Sequence, residues 1–487
     1  MRFLSFLLVL FLSVLTCGAK TVNPLQYGLL DAKNGTERFE ALIHCHEDAI
    51  RQKARISYAG IEEIELEIPF KAKCIPLPDY TDFAGVKIIV NNTDRDCVLF
   101  RMANETKDIQ VSGKEIDDGN FYNRKELKKG TVLLILEDQN PWVKERLGYQ
   151  GGGVNRKDIV ILKNGVSQNR TVMPYDNANT MPKAKFCAVR TRRKLVKNLI
   201  FERTHSSTRK TYPIAIEYQY NVELSNIITT TPQNSDLVSD CGIMIYNCAK
   251  IKINDVTING TYSKENKSGS GMRLINVYDV QINRMYARSK WGVFGNHSVN
   301  KVMLKDCDIN RFDIHCYGRD VTAIGCTFSD MYNQYSAFYG KLIYRKCKFI
   351  NFIPVLIESS YNAYTPFDCE MDGCSFKFTK DKNFILTLFR VPEPINPRLE
   401  LKEKCIPNFT IRYCSVLLDN DVKEWYLIKT HGLKYRGEMD YLSKIDIRGL
   451  SVSGGENSIL KIFSENVPLK RELKIISKNI NTKFEQY

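Results

Sequence analysis

Ten short phrases in the second half of the chain share one shape, and that shape constrains the fold more than any other feature. Leu199, Ile227, Val256, Met285, Cys307, Cys326, Cys347, Cys374, Cys414 and Leu450 occupy the same place in each. All are apolar, and the residue two further on is usually apolar too, as in Cys326-Thr327-Phe328 and Cys374-Ser375-Phe376. A period of two places both side chains on one face of a strand. Successive copies lie 19 to 40 residues apart, most of them 19 to 29. Strands that return at this spacing, with variable loops between, mark a solenoid. One coil cannot bury its apolar face alone, so neighbours stack and share a core. A sandwich of hairpins would need turn signals such as Asn-Gly between nearly every strand pair, and these are scarce.

The repeat also accounts for the cysteines. The chain has 15 of them, a number that in an exported protein invites a disulfide framework. Cys307, Cys326, Cys347, Cys374 and Cys414 instead share the inward position, where a small apolar thiol stacks well. They are expected to be buried and reduced. No Cys/His group has zinc-ligand spacing.

Export is expected from the first residues. Met1-Arg2-Phe3 precedes the apolar run Leu4 to Leu15, which is too short to span a bilayer comfortably. Cys17-Gly18-Ala19 supplies the small residues of a signal-peptidase site, with cleavage after Ala19. The alternative is a lipoprotein anchored at Cys17, although Thr16 before it is bulky. No later segment is apolar enough to cross a membrane. The net charge of +15 falls to +14 when Arg2 leaves with residues 1–19. A basic exported protein favours an acidic polysaccharide over nucleic acid or an anionic membrane surface as its partner; the same charge can also serve solubility alone.

Two features together resemble the pectin-lyase-like proteins. One is the repeat. The other is Tyr27-Gly28-Leu29-Leu30-Asp31-Ala32-Lys33-Asn34-Gly35-Thr36, a Gly/Asp/Gly/Thr turn leading into an amphipathic segment from Glu37 to Ile50. There Phe39, Leu42, Ile43, His46 and Ile50 fall near one helical face. The resemblance implies an all-β fold, a single-stranded right-handed parallel β-helix with an N-terminal capping helix that hides the open end of the coil. The expected organisation is one domain over 20–487. Residues 20–100 hold the capping helix and first strands, among them Ile64 to Pro69 and Val86 to Val90. Residues 100–185 form irregular coils and a long excursion around Trp142, packed over the helix or reaching into a ligand groove. Residues 195–487 form regular coils. The fold alone does not choose among lyase, hydrolase, epimerase and binding protein.

No nucleotide, metalloprotease, nucleophile-elbow or EF-hand motif is present, so a site has to be read from stacking. Aligning the rungs puts His297, Cys316 and Ala337 in one column. With Ile314, Cys316 and Ala337 inward, alternation turns Asn296, His315 and Ser336 outward, beside rows of Phe294, Asp313 and Gln334 and of Ser298, Tyr317 and Phe338. The stretch Arg311 to Asp320 then exposes Asp313, His315 and Tyr317, with Arg311 and Arg319 at its ends. The preceding rung adds Arg288, Lys290 and Trp291, and the following rungs add Tyr335 and Tyr339. These coils are the shortest in the chain, 19 to 22 residues, and leave a groove for an extended ligand.

These residue types suit β-elimination on a uronic-acid polysaccharide. A base takes the C5 proton while a cation neutralises the carboxylate. His315 or Lys290 is the candidate base, Tyr317 the proton donor and Arg319 the clamp. Arg288, Trp291, Arg311, Asp313, Tyr335 and Tyr339 are candidate substrate contacts, Trp by stacking and Arg by pairing with carboxylates. The same cluster is also compatible with a purely structural ion-pair network. A glycoside hydrolase would need paired carboxylates, and Asp313, Asp330 and Glu358 are scattered. That scatter also speaks, though not strongly, against calcium, which could hold the carboxylate in place of Arg; no cofactor is expected, with calcium as the weakly supported alternative. A non-catalytic carbohydrate-binding protein is the third reading.

Overall fold

The computed structural model describes residues 20–487 except 70–71, 93–95, 139–154, 176–180, 205–210, 231–240, 260–269, 289–291, 359–365, 379–382, 391–405, 432–441, 456–457, 468, 470 and 486–487. The expected leader and Cys17 therefore lie outside the described residues. So do Trp142, Lys290 and Trp291.

The ten repeat positions stack in one column. Leu199 pairs with Ile227 and Ile227 with Val256, in parallel. Beyond them the column is held from backbone to backbone: Asp308 N donates to Met285 O, Thr327 N to Cys307 O, Lys348 N to Cys326 O and Ser375 N to Cys347 O, each at 2.8–2.9 Å. The coil has three such parallel ladders, one per face. The first runs from 194–197 through 222–225 and 251–254 to Lys474–Lys478. The second carries the repeat column. The third runs from Cys97–Ala103 through Thr211–Glu217 and the first half of Cys241–Asn259 to Lys483–Glu485. This is the right-handed parallel β-helix that the repeat and the resemblance imply.

The residue before each repeat position shows how the chain turns from one face to the next. Asn198, Asn226, Asp255, Arg284, Asp306, Gly325, Lys346, Gly373, Tyr413 and Gly449 all have φ between 51° and 64°. One left-handed residue makes a sharp corner without an added loop, and Gly, Asn and Asp adopt it at least cost. The side chains also link rung to rung: Asn226 Nδ2 donates to Asn198 Oδ1 at 2.9 Å, and Asn198 Nδ2 to Asp82 Oδ1 at 2.8 Å.

Inside the coil, Cys307, Cys326, Cys347, Cys374 and Cys414 are buried free thiols. Each Sγ sits 3.3–3.5 Å from a neighbouring carbonyl, such as Cys347 from Ala323 O and Cys414 from Arg412 O. Two residues on, Phe328, Phe349 and Phe376 stack nearly parallel, with centroids 5.4 and 5.1 Å apart.

Helix Gly35–Gln52 caps the N-terminal end. Asn34 accepts from Glu37 N at 2.8 Å at its start, and Lys53 closes it in the left-handed region. Gly35 is needed because a Cβ there would lie 2.5 Å from Glu67 N. Phe39, Leu42, Cys45, His46 and Ala49 form its buried face. Ile50, expected on that face, is 43% exposed; the buried stripe drifts to Cys45 and Ala49 over four turns. His46 is buried, donating from Nδ1 to Pro76 O and accepting at Nε2 from the Tyr58 hydroxyl, both at 2.8 Å. Strands Glu63–Glu67 and Lys87–Asn92 pair in parallel as the first turn.

Residues 107–188 depart from the sequence reading. They form an antiparallel sheet in the order Val166–Ser167, Lys157–Lys163, Thr131–Glu137, Lys183–Ala188, Lys107–Gln110, with a short helix Gly113–Asp118. Strands Thr131–Glu137 and Lys157–Lys163 are apolar almost throughout because both their faces are covered. Val132, Leu134, Leu136, Val160 and Leu162 face a core of their own with Ile116, Phe121 and Tyr175. Leu133, Ile135, Ile159 and Ile161 lie on Tyr220 and Ala249 of the coil. The inserted sheet thus rests on the outside of the coil, and the capping helix is elsewhere.

Candidate functional site

The third face beside the inserted sheet holds the candidate site. Strand Ser270–Asn283 pairs with Asn296–Lys305, which pairs with Ile314–Ile324. Met272, Leu274, Phe294, Phe312 and Ile314 point into the coil. Asn296 pairs with Ile314, but His297 pairs with Cys316. His315 is the extra residue of a β-bulge, pushed out of the ladder. Such bulges re-aim side chains and gather near functional sites.

That bulge corrects the predicted alternation. Ile314 is inward as expected. Cys316 and Ala337 are not: both lie outside the coil against Val172 and Met173 of the inserted sheet's last loop. Phe294, expected in the outward row, is in the core. Tyr317 turns the next corner with φ 60°. It is buried under the same loop, its hydroxyl without a hydrogen-bond partner among the described residues, and burial pushes its pKa up. It is therefore not exposed on a groove. Tyr339 is buried in the same cluster. Tyr335 faces the core, its hydroxyl 2.7 Å from that of Tyr344.

The remaining candidates separate into three groups. Arg311 and Asp313 form a fully buried ion pair. Asp313 Oδ1 also accepts from Gln334 N at 3.0 Å, and Arg311 lies 4.5 Å above the Tyr332 ring. Burial raises the Asp313 carboxyl to about 6 in spite of Arg311. His315 stands beside this pair, Nε2 3.9 Å from Asp313 Oδ2, with 35% of its side chain exposed. Arg319 lies a corner away, Nη1 donating to Val172 O at 3.1 Å and Nε 3.4 Å from Asp320. Arg288 is on the second face, held by both Asp308 oxygens at 2.8 and 2.9 Å. The structure thus brings Arg311, Asp313 and His315 together, and not Tyr317, Tyr335 or Arg288.

Further residues, outside the sequence-derived site candidates, line the outer face that leads to His315. Tyr246, Ile275 and His297 form one outward column leading to the bulge. Lys157 of the inserted sheet bridges it, its backbone N donating to Ser298 Oγ at 3.2 Å and its Nζ to the Tyr246 hydroxyl at 3.1 Å. Arg273 lies two residues before Ile275, and Gly295, next to Asn296, leaves the rung between Arg273 and Asp313 without a side chain. His297 Nδ1 is enclosed without a hydrogen-bond partner among the described residues; burial lowers its pKa to about 4, with the charges of Lys157 and Arg273 acting the same way. Lys157 was beyond reach because it comes from an insertion 140 residues earlier, and His297 was placed in the right column but on the wrong side.

Among the described residues no group of His, Cys, Asp and Glu is arranged to hold a metal ion. No helix there is long and apolar enough to cross a membrane.

The sequence matches no family model. No curated protein is significantly similar to it. Among solved structures, the tailspike protein gp49 from Pseudomonas phage LKA1 is similar over 92% of this chain and 83% of its own, at 11% identity and a TM-score of 0.50. The gp54 tailspike of Acinetobacter baumannii bacteriophage AP22, solved with a capsular saccharide, aligns over 91% and 77% at 11% identity and 0.47. A family 28 exopolygalacturonase from Yersinia enterocolitica aligns over 96% and 79% at 8% identity and 0.35. Identities this low speak to architecture alone. The three-ladder coil and the gp49 likeness place the chain in a class by fold, the right-handed parallel β-helix proteins of pectin-lyase-like architecture.

Proposed function

We propose that the protein is exported and acts on an acidic, uronic-acid-containing polysaccharide, cleaving it by β-elimination at His315. The observation that carries this reading is the bulge. It sets a partly exposed imidazole beside the Arg311–Asp313 pair, next to the column of His297, on which the charges of Lys157 and Arg273 act. Neutral His315 takes the C5 proton, the C4–O bond breaks, and its electrons leave with the departing oxygen as the C4–C5 double bond forms. Lys157 and Arg273 neutralise the carboxylate whose charge spreads in the transition state. Asp313 orients the ring and favours its protonated form. The leaving oxygen is protonated by His315 itself or by solvent, since Tyr317 is enclosed. The chain's net charge of +15 supports an anionic substrate, and the apolar run Leu4 to Leu15 supports export.

A hydrolytic reading is weaker, because Asp313 is buried on Arg311 and lies out of a substrate's reach. A binding protein without turnover is favoured by one observation: Arg311, Asp313 and Gln334 are tied to one another by hydrogen bonds. Incubating the purified protein with pectate, alginate and glycosaminoglycans separates the three. Ultraviolet absorbance from unsaturated uronate products supports elimination. New reducing ends without that absorbance would mean hydrolysis, and binding without either would leave a lectin-like role.

A further inference from the structure

A cleft of about 670 Å³ opens where the inserted sheet overhangs the coil, away from His315 and past the Tyr317 corner. Its floor is apolar, from Ile116, Val160 and Pro174, and its walls carry Gln168, Asn169, Arg170, Thr171 and, from the coil, Arg319. That volume lies within the roughly 300–1,000 Å³ of small-ligand sites. The lining is unlike a site for an apolar ligand. Amides, hydroxyls and guanidinium groups over a small apolar patch suit a sugar ring, whose faces are apolar and whose edges carry hydroxyls.

The charges narrow the ligand further. Arg170 is exposed, and its guanidinium makes no hydrogen bond or ion pair among the described residues. Its backbone is held, because Asn300 Nδ2 donates to Arg170 O at 2.9 Å. Arg319 commits Nη1 to Val172 O and Nε to Asp320, which leaves Nη2 uncommitted. Asp117, also at the rim, accepts from Tyr175 N through Oδ1 at 2.8 Å and keeps Oδ2 for a hydroxyl donor. Uncommitted guanidinium donors on a surface held at both ends fit a carboxylate or sulfate.

We propose that this cleft is a second glycan-binding site, which takes a sugar unit of an acidic polysaccharide with its carboxylate or sulfate toward Arg170 and Arg319. The proposal rests on the acidic-polysaccharide reading but not on His315 chemistry. It gives the inserted sheet a role beyond covering the coil: the protein grips the chain a corner away from where it is cut.

The test is calorimetric titration of the full chain with pectate-, alginate- and heparin-derived tetrasaccharides, and with neutral maltotetraose as control. Arg170→Ala is the main variant because its side chain supports nothing else; Arg319→Lys keeps a donor for Val172 O. Arg170→Ala should weaken the best acidic tetrasaccharide about tenfold, as for a lost charge-assisted hydrogen bond. Lys423→Ala, at an exposed position outside both sites, should leave that binding unchanged. Unchanged affinity in Arg170→Ala, equal binding of maltotetraose, or no binding by any acidic tetrasaccharide would each overturn the proposal. The two readings fail separately. Binding lost in Arg170→Ala without any product absorbance refutes elimination and keeps the cleft; cleavage with unchanged Arg170→Ala affinity does the reverse.

Discussion

The Nε2 of His315 stands 3.9 Å from Oδ2 of Asp313, one group partly exposed and the other enclosed. That pairing separates a side chain able to meet a substrate from one that holds it in place. His315→Ala should therefore cut turnover about 10²–10⁴-fold, the usual loss for a positioned base. Its unfolding free energy should change by no more than about 0.5 kcal/mol, as for a surface substitution. Initial rates and thermal melts on the same preparation check this; equal loss of both would make the cluster structural.

Arg311 should behave in the opposite way. Arg311→Met leaves a buried carboxylate without its partner, which costs roughly 3–5 kcal/mol. The folded Asp313 titrates near 6 and the unfolded one near 3.8, so the folded state holds the proton more tightly. Stability linked to this group is full below 3.8 and is lost as pH rises through 6. Denaturant melts of Arg311→Met should accordingly show a smaller loss at pH 5 than at pH 7. A loss independent of pH would mean that Asp313 does not titrate in this range.

His46 makes the cap acid-sensitive. Burial lowers its pKa from 6.5 to about 4, so the folded state resists a proton that the unfolded state accepts. Its contribution is complete above 6.5 and declines as pH falls toward 4, by about 3 kcal/mol in all. Protonation would also take away the acceptor that Tyr58 uses. His46→Gln should flatten stability between pH 6.5 and 4, read by denaturant melts at each pH; a slope equal to that of the unaltered chain would refute it.

Binding of an acidic polysaccharide should weaken as salt rises, because Lys157, Arg273 and Arg170 act near the surface and exposed charges are screened over about 8 Å at physiological ionic strength. Titrations from low to high sodium chloride check this. Salt-independent binding, or preference for a neutral glycan, would point away from an anionic substrate.

The fold was legible because the coil repeats its own constraints. Leu199 to Leu450 stack in one column since each needs an apolar neighbour above and below, and that need is written as a period of two. The site was less legible because it hangs on one irregular residue. With His315 squeezed out of register, Cys316 ends on the face that alternation assigns the other way, as a one-residue slip requires, while Tyr317 stays outside the coil but is covered by the inserted sheet's last loop. Lys157 and Val172 come from an insertion whose apolar strands, covered on both sides, carry no sign of where they dock. The left-handed corners could have been read from Asn198, Asn226, Asp255, Asp306, Gly325, Gly373 and Gly449, which stand at equivalent places before the strand turns.

The inserted sheet leaves the coil through Lys107–Gln110 and returns through Lys183–Ala188, and these two segments lie side by side, Gln110 opposite Lys183 and Lys107 opposite Phe186. Departure and return at one point make the sheet a graft. It has its own core around Leu134 and Val160, and the coil closes beneath it through strands that do not include it. Such an attachment lets one half of the molecule change its sequence, or be exchanged for another shape, while the other keeps its register. The walls around His315 and the overhang above Arg319 both belong to the graft in part, so ligand preference can be inherited separately from the scaffold.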